Sequence, residues 1–314
     1  MARAVRYERL ATERRNRASA GLDRLDARAI ALLMNREDAR AVRAVGRESR
    51  AIAAGVDLIA GALASRGRLI FVGAGTSGRL GVLEAAECPP TFGTPPRLVQ
   101  AVMAGGRPSV FRSREGAEDD GRAGARAVRA RARRGDVVVG VSASGITPFV
   151  REALKTARRL GARTIMVACN PDHARLPPAD VVIAPTPGPE VLAGSTRLKA
   201  GTTTKLVLNT LTTATMARLG KVYGNRMIDL QPRSRKLRER ATRLVAELGG
   251  VRHAAARRLL RSAGDRVPVA VVMARRGLDA GAARRALRAA GSLHAAVTAS
   301  RRSPRWRARG LLRE

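Results

Sequence analysis

The chain has 314 residues, of which 45% are apolar, so it can bury the core of one large domain and a smaller one. Lysine and arginine number 60 against 25 aspartates and glutamates, a formal net charge of +35 that raises the question of nucleic-acid binding. Only five cations are lysines, the arginines are spread along the chain, and the 2% of aromatic residues is too little for base stacking. We attribute the charge to coding bias and expect no specific nucleic-acid partner.

The cysteine content and the hydropathy indicate the cellular compartment in which the protein is expected. Cys88 and Cys169 are the only cysteines, too few for a disulfide framework, which favours a reducing environment. The opening MARAVRYERL lacks the apolar segment of a signal peptide, and no run approaches the ~20 apolar residues of a membrane span. We expect a soluble, cytoplasmic protein without a membrane partner.

The predicted elements begin with helices over 1–66, where RLDARAIALLMNREDARAVRAV repeats apolar residues at helical spacing. A helix is then expected near 148–160 and a long one over Ala200–Leu219. Five short β-rich runs are predicted, at 68–73, 96–105, 136–144, 163–170 and 180–186. Continuous apolar strands separated by helices indicate a parallel sheet covered on both faces.

Beyond about Pro232 the pattern becomes helical again, in four short amphipathic segments that end at glycines or turns. The fold class is therefore α/β, a doubly wound parallel five-stranded sheet with flanking helices and a small C-terminal helical bundle. Four regions follow: an N-terminal helical segment (1–66), a sheet domain (67–231), a small helical domain (232–300) and a basic tail (301–314).

A glycine motif follows the first predicted strand. Gly73 to Gly78 reads GAGTSG, which fits the G-x-G-x-x-G pattern of a dinucleotide turn. Such a site needs a carboxylate at the end of the second strand, where this chain reads RLVQAVMAGGR. Hydroxyls and free amides at a helix N-terminus suit a phosphate monoester instead. We interpret Gly75, Thr76 and Ser77 as a phosphate cradle; the alternative is a merely tight strand–helix turn.

A second hydroxyl-rich loop, SASGITP (142–148), follows the third predicted strand. It offers Ser142, Ser144 and Thr147 directly before another helix. The carboxyl ends of parallel strands meet at one edge of a sheet, so one ligand can contact both loops. The alternative is that each hydroxyl caps the following helix.

Several blocks resemble the N-acetylmuramic acid 6-phosphate etherases, a bacterial family with the sugar isomerase (SIS) fold. The resemblance runs from TERRN (12–16) to about residue 298 and departs from the family at Ile146, where the family has arginine. The blocks are GAGTSGRLGVLEAAECPPTFG (73–93), EGAEDD (115–120), SASGITPFV (142–150), CNP (169–171), GSTRLKAGTTTKLVLN (194–209) and KVYGNRMIDL (221–230).

The resemblance implies a lyase that splits the D-lactyl ether of N-acetylmuramic acid 6-phosphate, giving N-acetylglucosamine 6-phosphate and D-lactate in cell-wall recycling. It implies a SIS-type sheet, a sugar-phosphate ligand and a homodimer. It also implies that Glu118 removes the C2 proton and that Glu87 protonates the departing lactyl oxygen. Elimination followed by water addition needs one ionised and one protonated carboxyl group.

This chemistry requires neither a cofactor nor a metal, and the histidines, His173, His253 and His294, are isolated in sequence. Pro89 and Pro90 are predicted to end the first helix just behind Glu87.

The remaining candidates are less specific. Lys199 stands in an arginine-rich chain and is predicted to contact the phosphate or the lactyl carboxylate; the alternative is a surface charge. Arg79 and Glu190 are weaker candidates, and Glu84 has no assigned task. Three other functions remain open: a non-catalytic sugar-phosphate-binding regulator, a SIS-type transcription factor and an aldose–ketose isomerase.

Overall fold

The structure is a computed structural model that describes residues 10–170, 176–232 and 234–298. The contacts divide the chain into two units. Among the described residues, the first unit runs up to Cys88 and resumes over Pro95–Thr215, and the second contains Pro89–Thr94 and the residues from Met216 onward. The four regions expected from the sequence stay a prediction, and the basic tail (301–314) lies outside the described residues.

The first unit contains a five-stranded sheet in which every neighbouring pair is parallel. The strands are β1 (Leu69–Gly73), β2 (Val99–Met103), β3 (Val137–Val141), β4 (Arg163–Val167) and β5 (Val181–Ile183). Their order is β2-β1-β3-β4-β5, so the direction of winding reverses at β1. Every residue of β1 and β3 is buried, as their unbroken apolar sequences indicate. The predicted fold class is confirmed.

Six α-helices begin among the described residues of the first unit. They are α1 (Ala27–Arg47), α2 (Ser49–Ala64), α3 (Gly75–Phe92), α4 (Gly121–Arg129), α5 (Pro148–Arg159) and α6 (Lys199–Arg218). Within the predicted helical region 1–66, the α-helices start at α1. The described residues before it form turns and two short 3₁₀ helices, Arg17–Ser19 and Leu22–Arg24. Asp26 sets the start of α1, since its Oδ1 accepts from the Ala29 amide at 2.7 Å.

Helix α3 continues through its double proline. Pro89 and Pro90 lie inside the helix, which ends at Phe92, so the prediction that they end it was wrong. Each proline removes only its own amide donor, and the Gly93 amide still donates to the Pro89 carbonyl at 3.0 Å. The helix ends where Gly93 adopts a φ of 64°, a left-handed conformation that favours glycine.

The second unit is mainly helical and has its own core. Its helices are α7 (Arg235–Gly249), α8 (His253–Ser262), α9 (Val267–Arg276), α10 (Ala280–Ala290) and α11 (Leu293–Thr298), preceded by a hairpin of β6 (Val222–Tyr223) and β7 (Arg226–Met227). The four predicted helical segments correspond to α7–α10, whereas the hairpin and α11 were not predicted. The core includes Val245 of α7, Leu260 of α8 and Val269 of α9. No helix in the described residues is long and apolar enough to cross a membrane.

Candidate active site

The glycine motif forms a tight turn from β1 into α3. A Cβ atom on Gly78 would lie 2.7 Å from the Gly73 carbonyl oxygen, and Gly75 has a φ of +52°. These glycines therefore let the helix approach the strand closely and turn sharply. Thr76 and Ser77 lie in the first helical turn, where backbone amides have no acceptor within the helix.

The second loop is organised by its own hydroxyl groups. Ser142 Oγ lies 2.7 Å from Thr147 Oγ1 and 3.4 Å from Ser144 Oγ, and it accepts from the Gly145 amide at 3.1 Å. Thr147 is the residue before α5, but its side chain makes no capping hydrogen bond to that helix. The alternative that Thr147 caps α5 is therefore not what the structure shows.

Both loops leave the sheet where the strand order reverses, and they line one cavity of about 370 Å³. Neither lysine nor arginine is among the described residues that line it. The predicted residues it brings together are Gly75, Thr76, Ser77, Glu118, Ser142, Ser144 and Thr147.

Glu118 is the predicted catalytic residue that lines this cavity. Its backbone carbonyl accepts from the Phe149 amide at 3.0 Å, which fixes the acidic segment against the start of α5. Asp120 has a different task, because its Oδ1 caps α4 by accepting from the Ala123 amide at 2.7 Å. Partial burial raises the pKa of the Glu118 carboxyl group, and the negative charges of Asp119 and Glu115 raise it further.

The cavity has lining residues that we did not predict from the sequence: Thr12, Glu13, Asp119, Gly194 and Thr196. The Gly194 amide donates to the Thr12 carbonyl at 3.0 Å, joining the N-terminal segment to the loop before α6. Thr12 Oγ1 donates to Glu13 Oε1 at 3.2 Å. The sequence did hold a signal for these residues, because Thr12 and Glu13 lie in the TERRN block and Gly194 and Thr196 in the GSTRLKAGT block of the family resemblance.

Lys199 does not line this cavity. Its side chain is fully buried, and Nζ donates to Glu37 Oε2 at 2.6 Å and to the Pro187 carbonyl at 3.3 Å. Burial by itself would raise the pKa of Glu37, but hydrogen bonds from Lys199 and Asn16 and the charge of Arg40 hold it below its ordinary value. The prediction that Lys199 contacts the substrate finds no support in this arrangement.

Glu190, a weaker candidate, is a buried helix cap. Its Oε2 accepts from the Lys199 amide at 2.8 Å and its Oε1 from the Ala200 amide at 2.9 Å, at the start of α6. Burial raises the pKa of its carboxyl group, and these two hydrogen bonds oppose the shift.

The two glutamates of α3 differ in environment. Glu84 is buried, and its carboxylate accepts from Lys205 Nζ at 2.9 Å and from Thr212 Oγ1 at 2.7 Å, both on α6. Glu87 is exposed and is not among the residues lining the cavity. It follows Ser77 by ten residues, about 15 Å along the axis of an α-helix. One copy of the chain therefore does not bring Glu87 to the cavity that Glu118 lines.

The histidines and possible metal ligands offer no second centre in the part of the chain described. There, no group of three or more His, Cys, Asp or Glu side chains could hold a metal ion. His253 Nε2 lies 3.2 Å from Glu239 Oε1, the His294 ring contacts that of Tyr223, and His173 falls outside the described residues. A cavity of about 410 Å³ in the second unit contains none of the predicted site residues.

Comparison with known proteins gives close relatives over most of the chain. It is 52% identical over 268 residues to the N-acetylmuramic acid 6-phosphate etherase of Symbiobacterium thermophilum, covering 85% of this chain and 89% of the relative. It is 53% identical over 285 residues to the same-named protein of Gloeobacter violaceus, covering 90% and 93%.

A family model and a solved structure also match. The model, for the glucokinase regulatory protein N-terminal SIS domain, matches residues 51–158. Phosphoheptose isomerase from Neisseria gonorrhoeae is similar at 22% identity and a TM-score of 0.43, covering 57% of this chain and 94% of the isomerase.

Proposed function

The chain belongs to the family of N-acetylmuramic acid 6-phosphate etherases, and we propose that its hydroxyl-lined cavity is where it performs that reaction. It is a carbon–oxygen lyase that converts N-acetylmuramic acid 6-phosphate and water to N-acetylglucosamine 6-phosphate and D-lactate, in the recycling of cell-wall amino sugars. The observation that carries this function is the identity of 52% and 53% to named relatives over 85% and 90% of the chain.

The phosphate is bound by the two loops. Thr76, Ser77, Ser142, Ser144 and Thr147 supply hydroxyl groups, and the turn at Gly75 presents the backbone amides at the start of α3. A helix N-terminus favours an anion through its free amides and dipole, so this binding does not depend on a lysine or arginine in the cavity.

Glu118 acts as the base. In the open-chain sugar the C1 aldehyde acidifies the C2 proton, which Glu118 accepts while the electron pair forms the C2–C3 double bond and the C3–O bond breaks. The lactyl oxygen receives a proton and leaves as D-lactate. Water then adds at C3, and a proton returns to C2. The raised pKa of Glu118 strengthens it as a base relative to an ordinary glutamate.

Glu87 acts as the acid, and it does so on a sugar held by a second copy of the chain. The proposal of a homodimer rests on the distance of Glu87 from the cavity in its own copy and on its exposed position. Large apolar side chains also stand exposed in the first unit, with Phe111 at 86% and Leu83, one turn before Glu87, at 39%.

A mixing experiment tests the shared site. E87Q and E118Q each abolish D-lactate release, but copies re-paired from an equimolar mixture of both proteins form heterodimers in which one site has both glutamates. Random pairing then restores about a quarter of the wild-type activity per site. Each variant unfolded and re-paired alone is the control. If the mixed and re-paired dimers release no D-lactate, the shared site is contradicted. If light scattering gives the mass of a monomer, the dimer itself is contradicted.

The reaction is tested by incubating the folded protein with N-acetylmuramic acid 6-phosphate and measuring D-lactate. Release that depends on Glu118 is the expected outcome. Tight sugar-phosphate binding without any D-lactate favours the non-catalytic regulator instead. We further propose a cytoplasmic location, which the two buried free thiols, Cys88 and Cys169, support.

A further inference from the structure

A second, smaller cavity of about 170 Å³ adjoins the hydroxyl-lined cavity in the first unit. The two cavities share Ala74, Gly75 and Glu118 among their lining residues, so the Glu118 side chain stands at their junction. The second cavity also contains two arginines, Arg79 and Arg114, whereas the first has none among its described lining residues. Among the described lining residues of the two cavities, arginine therefore lies on one side of Glu118 only.

The two arginines are held differently. Arg79 is anchored by backbone oxygens: its Nε donates to the Val110 carbonyl at 2.8 Å and its Nη2 to the Ser109 carbonyl at 3.1 Å. Carbonyl groups position the guanidinium without neutralising its charge. Arg114 forms no ion pair with any described residue, although the chain carries Glu115 and Glu118 close by in sequence. It is therefore free to bind an anion.

A buried hydroxyl group adds a second sign of a binding site. Ser109 lines the second cavity and is only 3% exposed, and its Oγ has no hydrogen-bond partner among the described residues. Space for this oxygen exists because residue 105 is glycine with a φ of +75°, and a Cβ atom there would lie 2.2 Å from Ser109 Oγ. Five buried hydroxyl groups among the described residues lack a partner, and Ser109 is the one that lines this cavity, where a ligand can supply it.

The substrate carries its phosphate and its lactyl carboxylate on two separate branches, which matches two cavities that meet at Glu118. In the open-chain sugar the phosphorus lies six bonds from C2 and the lactyl carboxylate carbon four bonds from C2, on two branches that part at C3, about 7 Å and about 5 Å away in extended chains. The cavity volume of about 170 Å³ has room for the lactyl group with its ether oxygen, which together have six heavy atoms.

We propose that the second cavity binds the lactyl carboxylate of the substrate, with Arg114 as its main contact and Arg79 and Ser109 supporting it. This inference rests on the proposed function of the first cavity. Without the arginines, a carboxylate beside Glu118 would be repelled by the ionised base. The second cavity thus distinguishes the substrate from its sugar product, which keeps the phosphate and lacks the carboxylate.

The test compares R114A with R112A, a matched control two residues away that lines neither cavity. For R114A we expect KM for N-acetylmuramic acid 6-phosphate to rise about tenfold or more, as loss of a charge-assisted hydrogen bond requires. The inhibition constant of N-acetylglucosamine 6-phosphate should change less than twofold, because this product lacks the lactyl group. R112A should match the wild type in both. S109A should raise KM in the same selective way.

Each other outcome overturns the inference. An unchanged KM in R114A shows that the cavity does not bind the carboxylate. Equal weakening of substrate and product assigns the cavity to a group that both share, such as the acetamido group. Failure of the proposed function is distinct, because the wild-type protein itself then releases no D-lactate.

Discussion

Replacing Lys199 by methionine separates two roles for this residue. Methionine keeps the length of the side chain and removes the ammonium group, which leaves the Glu37 carboxylate buried with 2% of its surface exposed. Removing one partner of a buried ion pair costs about 3–5 kcal/mol. Arg40 still approaches Glu37 Oε1 at 3.0 Å and Asn16 donates to Oε2 at 2.7 Å, so we expect the lower end, about 3 kcal/mol, or roughly a 150-fold change in the unfolding equilibrium.

The pH dependence of this loss has a definite sign. In the wild type the pKa of Glu37 is lowered on folding, so its contribution to stability is present above the pKa of the unfolded chain and disappears as the pH falls through the folded value. In K199M the burial that raises this pKa loses its main opposition. Glu37 then takes up a proton on mild acidification, and the difference in stability between wild type and K199M shrinks from pH 8 to pH 5.

Urea unfolding followed by far-UV circular dichroism measures the loss, and hydrogen exchange in α1 and α6 localises it to the first unit. K236M, which removes an exposed lysine of α7, is the control and should be neutral. E37Q/K199M should recover part of the stability, because no charge then remains buried without its partner. If K199M is as stable as K236M while its KM rises tenfold, the ion pair is unimportant and Lys199 contacts the substrate after all.

Three further predictions concern the cavity and its supporting turn. D119N removes one of the charges that raise the pKa of Glu118, so the acidic limb of the kcat/KM profile should move to lower pH; an unmoved limb contradicts that coupling. S142A removes the hydroxyl at the centre of the second loop and should raise KM threefold to tenfold, about the effect of one neutral hydrogen bond, in D-lactate initial rates. G78A should cost about 1–3 kcal/mol in urea unfolding, since its Cβ meets backbone, whereas G61A, which has open space, should not destabilise.

The sheet and the hydroxyl groups of the cavity could be predicted from the sequence for one physical reason. Strands buried on both faces read as unbroken apolar runs, and the loops after two such strands must emerge at the same edge. The same reasoning predicts that Ser77 and Ser142 face one ligand, and both residues line the same cavity. The resemblance then assigned Glu118 a role that composition and spacing alone left undecided.

Other features depend on contacts that no local pattern encodes. Nothing near Lys199 indicates that its partner is Glu37, because the two are 162 positions apart. In the acidic segment, Asp120 caps α4 and Glu118 lines the cavity. This division depends on the hydrogen bond from the Phe149 amide to the Glu118 carbonyl, between residues 31 positions apart. The double proline shows the converse. Its local sequence predicts the end of a helix, but α3 continues through it to Phe92.

The ion pair between Glu37 and Lys199 also affects the order in which the chain assembles during synthesis. A ribosome adding about 5–20 residues per second needs roughly 10–30 s to extend the chain from Glu37 to Lys199. Throughout that interval the Glu37 carboxylate lacks its Lys199 partner, so the docking of α1 is less stable until α6 has formed. Asn16 donates to the same carboxylate oxygen as Lys199, at 2.7 Å, so the segment that brings Thr12 and Glu13 to the cavity is secured at the same late moment. The segment around Thr12 is thus made before α6 but is fully secured only after it.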